Sequence, residues 1–104
     1  MLRKERRYEL HQILVDILGS KNVYFQPPES IKLNFPCIVY TRDGDSALYA
    51  NDTKYKTRTQ YSVTVIDKDP DSEIPERLAS LQFCKFNRHF VSDNLNHDVY
   101  TIYY

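Results

Sequence analysis

Residues 54–66 constrain the fold most, because Tyr55, Thr57, Thr59, Tyr61, Val63 and Val65 alternate with Lys56, Arg58, Gln60, Ser62 and Thr64. Side chains of a strand alternate between its two faces, so the pattern predicts a long strand with one polar face. At ~3.3 Å per residue it would reach about 40 Å. A chain of 104 residues forms one domain of modest size, which predicts that the Tyr55 end projects as an arm. Projecting arms usually meet another chain.

The remaining pattern supplies a body for that strand. In residues 2–18, Leu10, Ile13, Leu14, Ile17 and Leu18 recur at three- and four-residue spacing, with Glu9, Gln12 and Asp16 opposite, which predicts an amphipathic helix ended by Gly19. Val23, Tyr24 and Phe25 make a short strand stopped by Pro27 and Pro28. The apolar run 35–40 predicts an interior strand buried on both faces, followed by a turn at Arg42-Asp43-Gly44-Asp45 and an irregular segment 46–52. After the break at residues 67–71, Ser72 caps a short helix through Leu81 whose buried stripe is Ile74, Leu78 and Leu81. Residues 83–91 and 99–104 predict two closing strands joined by a polar loop at 92–98. The expected fold is α+β: one domain over residues 1–104, with a mainly antiparallel sheet of four to five strands and both helices on one face.

Composition narrows the function classes. Fourteen Lys and Arg balance fourteen Asp and Glu, so the overall charge steers the chain toward neither nucleic acid nor an anionic membrane. Apolar runs are too short for a spanning helix or secretory signal, which predicts a soluble, intracellular chain. Two cysteines in apolar contexts, Cys37 and Cys84, favour free buried thiols over a disulfide. With two glycines no phosphate-cradling loop can be built. Nine tyrosines and no tryptophan fit either partly wet protein interfaces or packing on strands.

Sites of known chemistry fit poorly. Asp67, Asp69 and Asp71 copy the first ligand positions of a calcium loop, but Ser72 replaces the turn glycine and Leu78 the bidentate glutamate. Cys37, Cys84, His89 and His97 are zinc donors by type, yet their spacing makes no tight pair. His89, Asp93, His97 and Asp98 are the densest titratable cluster, which a polar hairpin loop would also produce. No serine has a nucleophile-elbow context, so neither catalytic residues, a metal site nor a cofactor is expected. The first helix starts with Arg3, Lys4, Arg6 and Arg7, the wrong sign for the positive end of its dipole. They form either a solvated face with Glu5 and Glu9 as partners or contacts to an anionic partner.

Taken together, the amphipathic N-terminal helix, Val23-Tyr24-Phe25-Gln26-Pro27-Pro28, Phe35-Pro36-Cys37-Ile38-Val39-Tyr40, the long strand running into the acidic turn, and Arg88-His89-Phe90 with the aromatic terminus resemble the small neck and tail-completion proteins of long-tailed bacteriophages. That group includes tail terminators and head-tail joining proteins. The resemblance implies a structural, non-enzymatic α+β protomer that forms a homo-hexameric ring at the head-proximal end of the tail. Its partners would be copies of itself, the tail-tube protein and head-connector proteins, in the virion and, during assembly, the host cytoplasm. Neither a membrane nor specific nucleic-acid binding is expected. Tyr49, Tyr55, Arg58 and Tyr61 are the candidate subunit contacts, because Tyr and Arg dominate interface energies. The alternative is an accessory module whose basic helix, through Arg3, Lys4, Arg6 and Arg7, holds nucleic acid or another anionic partner. Phosphate contacts would weaken steeply with salt, whereas a tyrosine-based ring would not.

Overall fold

The computed structural model describes residues 2–50 and 53–104, with side chains described outside 46–57. In chain order its elements are α1 (Arg3–Leu18), β1 (Val23–Phe25), β2 (Cys37–Ala50), β3 (Thr53–Asp67), α2 (Ile74–Ala79), β4 (Cys84–Ser92) and β5 (Leu95–Tyr103). The five strands form one sheet in the order β1-β2-β3-β5-β4. Among the described residues only the β1–β2 pair is parallel. The α+β architecture expected from the sequence is therefore present, and β2 is an interior strand with Cys37, Ile38 and Tyr40 buried.

One face of the sheet carries the core. Leu10, Leu14 and Leu18 of α1 and Ile74 and Leu78 of α2 pack on Ile38, Tyr40, Tyr61, Val63, Val65, Tyr100 and Ile102. The period-3.6 stripe of α1 thus meets the period-2 face of β3. Burying each such side chain is worth roughly 1.5–3 kcal/mol, which makes this layer the main source of stability. Gly19 ends α1 in the left-handed region at φ 80°, and its N–H donates to the Val15 carbonyl. Helix α2 is shorter than expected, yet Ser72 Oγ accepts the Ile74 N–H at its start.

Two expectations are corrected. Residues 42–45 do not turn; β2 continues to Ala50, and Gly44, at φ 142°, sits at a shift of register between Arg42 and Gly44. A bulge absorbs the extra residue and leaves pairing intact on both sides, which is why a glycine there mimics a turn signal. Second, the 92–98 loop is a two-residue hairpin turn: Ser92 pairs with Leu95, and Asp93 and Asn94 both have positive φ. That conformation matches the twist of antiparallel strands, and Asp and Asn tolerate it.

The long strand behaves as its alternation predicts. Thr59, Tyr61, Val63 and Val65 are buried while Gln60, Ser62 and Thr64 are half-exposed. Pairing of β3 with β5 stops at Gln60 and Tyr103, but its pairing with β2 runs on from Asp45–Thr59 to Ala50–Thr53. The result is a two-stranded arm on a molecule measuring 49 × 23 × 23 Å.

Candidate functional site

The arm leaves the body beside the N-terminal half of α1, and a groove lies on each side of that helix. The first, about 470 Å³, is lined by Leu2, Arg3, Lys4, Arg7, Phe25, Arg42 and Tyr61. Strand alternation places Arg42 on the helix-facing side next to its register partner Tyr61, so the cations of α1 and β2 converge. The second, about 520 Å³, is mainly apolar, formed by Leu10, Ile13, Leu81, Phe83 and Ile102, with Arg6, Arg58, Glu9 and Tyr104 at its rim.

A partly buried chain of polar contacts holds the first groove. Tyr40 is fully buried, its ring 4.9 Å from Phe25 and 5.9 Å from Tyr61. Arg7 Nη1 donates to the Tyr40 hydroxyl at 3.2 Å, and that hydroxyl lies 2.7 Å from His11 Nδ1. A neutral His11 with its proton on Nε2 would accept the Tyr40 hydroxyl proton at Nδ1, leaving the oxygen lone pairs to the Arg7 donor. Burial, with the Arg7 charge adding to it, pushes the His11 pKa below its usual 6.5. Burial also pushes Tyr40 above 10 despite the opposing Arg7 contact, so both groups stay neutral near pH 7. The Arg7 guanidinium also lies 4.2 Å from the Phe25 ring centre.

The sequence-derived interface residues separate. Tyr49 and Tyr55 lie outside the residues whose side chains are described. Arg58 lies over the Phe83 ring at 3.6 Å, tying β3 to the start of β4. Tyr61 is 2% exposed and belongs to the core. There α1 covers it, and its remaining exposed edge lines the first groove. Of the basic residues, Arg3 and Lys4 are exposed, Arg7 is fastened to Tyr40 and Phe25, and Arg6 lines the second groove. Arg42 was missed, because the residues that make it a site residue come from α1 and β1.

The other polar clusters make local contacts. Asp67 and Asp69 each accept the backbone N–H two residues ahead, shaping the turn before α2. His89 Nδ1 sits 2.8 Å from Asp98 Oδ1, whereas His97 approaches the Leu95 carbonyl and stacks on Phe90 at 4.5 Å. Cys37 and Cys84 are free, and burial, helped by Asp67, pushes the Cys37 thiol up to about 11. Among the described residues no group of three or more His, Cys, Asp or Glu could hold a metal ion, and no helix is long and apolar enough to cross a membrane.

Beyond the body, β4 is an edge strand of nine residues, and Phe86, Phe90 and Val91 are exposed on it, with Phe83 just before. Compared with known proteins, the sequence matches no family model and no curated protein.

Proposed function

We propose that this chain is a structural subunit, rather than an enzyme, that joins copies of itself into a ring. The resemblance drawn from its sequence puts that ring at the head-proximal end of a phage tail, terminating the tube or joining it to the head connector. The observation that carries the reading is the arm, in which residues 45–50 and 53–59 pair with each other beyond the end of β5. A lone two-stranded hairpin is marginal in water, so an arm of this length gains stability by packing on a neighbour. The β4 edge adds support, since an exposed edge strand bearing aromatic side chains is a ready surface for another chain. Arm and edge are different patches, as head-to-tail contacts require.

Replacing residues 47–57 by Asn-Gly tests this, because it closes the hairpin between the register partners Ser46 and Arg58. The shortened chain should run as a folded monomer at concentrations where the full chain assembles. Assembly of the shortened chain at full strength would refute the role of the arm.

A further inference from the structure

Two patches of opposite charge lie on a molecule whose total is zero, although Asp43 and Asp45 follow Arg42 along β2. At the root of the arm Arg3, Lys4, Arg7 and Arg42 surround a groove floored by Phe25 and Tyr61, and no carboxylate lines it among the described residues. Six residues further along β3 than Tyr61, about 20 Å at strand rise, the sheet ends at Asp67. There Asp67, Asp69, Asp71, Glu73 and Glu76 gather, against Lys68 and Arg77. Arg77 is already committed, bonding Glu73 at 3.0 Å and donating to the Ile17 carbonyl. Asp67 and Asp69 fix the shape of the turn, while the exposed carboxylates of Asp71 and Glu76 make no side-chain bond among the described residues.

We propose that the groove receives the acidic turn, residues 67–76, of a second copy of this chain, so that successive copies join base to arm root. This rests on the assembly reading above and specifies its contact. Two opposite charges on two different patches favour head-to-tail association, and like ends repel. An equal count of cations and anions argues for such a self-complementary occupant over a nucleic acid, which a chain of net positive charge would suit better. The four cations also explain the unfavourable charge at the start of α1: a neighbour's carboxylates would be seated beside the positive end of the helix.

The test reverses each end and then recombines them. One variant carries Arg3→Glu and Lys4→Glu, exposed positions where acidic residues suit the helix start, so folding should be retained. The other carries Asp71→Lys and Glu76→Lys. Each alone should weaken self-association about tenfold or more, read by sedimentation with thermal melting as the folding control. An equimolar mixture of the two should regain wild-type assembly, because both kinds of contact are complementary again. Unchanged assembly in the single-end variants, or no recovery on mixing, would overturn the proposal while leaving assembly through the arm standing. A wild-type chain that stays monomeric at every concentration would overturn both. Tight binding of a fluorescent oligonucleotide that the Arg3→Glu, Lys4→Glu chain loses, with assembly unaffected, would reassign the groove to nucleic acid.

Discussion

Removing one oxygen, by Tyr40→Phe, tests whether the chain Arg7–Tyr40–His11 holds α1 on the sheet. The substitution keeps the ring and its contacts with Phe25, Tyr61 and His11, at 4.9, 5.9 and 5.6 Å. What is lost is a 3.2 Å bond from a guanidinium and a 2.7 Å bond to an imidazole. A neutral bond contributes a net ~0.5–1.5 kcal/mol and one to a charged group ~1.5–3. The Arg7 bond is long and both partners are half-buried, so each rehydrates in part. The expected cost is about 2 kcal/mol, read from urea unfolding by linear extrapolation, with a fall in Tm of ~10 °C. Arg7→Ala combined with Tyr40→Phe should then show a coupling of about 1 kcal/mol. A cost below ~0.5 kcal/mol with no coupling would show that the chain does not form and that packing alone seats the helix.

Gly44→Ala has open space around the new methyl group, so its cost is backbone strain at φ 142°, about 1–3 kcal/mol in thermal or urea unfolding. A neutral result would mean that the bulge lies elsewhere. His11 supplies a pH dependence: its folded pKa is lowered below 6.5, so the unfolded chain takes up the proton more readily than the folded one. The His11 contribution is fully present above pH 6.5 and is lost as pH falls through the lowered folded value. Thermal midpoints between pH 7.5 and 5 should therefore fall further for the wild type than for His11→Asn; parallel profiles would remove His11 from the account.

The parts of the fold that were legible are those where burial is one-sided. The stripe of α1 and the alternation of Thr59, Tyr61, Val63 and Val65 are visible because one face of each meets the core. Residues 46–50 hid their strand because pairing there is with β3 alone and leaves no apolar period to read. Gly44 carried the same residue chemistry as a turn while serving as a bulge. Asp93-Asn94 disappeared within a polar stretch because Asn96, His97 and Asp98, though paired with both β3 and β4, are polar side chains that leave no apolar period to mark the start of β5. Tyr61 shows the limit most clearly. Alternation placed it on the face of Tyr55, but where α1 crosses β3 decides which of that row is buried, and this depends on contacts distant in sequence. The basic groove was half legible for the same reason: Arg3, Lys4 and Arg7 are adjacent in sequence, whereas Arg42, Phe25 and Tyr61 arrive through the sheet.

Whether copies of this chain assemble is the central question, and the most direct measurement is the solution mass of the unmodified chain by light scattering over a wide range of protein concentration. The account predicts a discrete multiple of 12.4 kDa that grows in at higher concentration. A mass of one protomer at every concentration would contradict it.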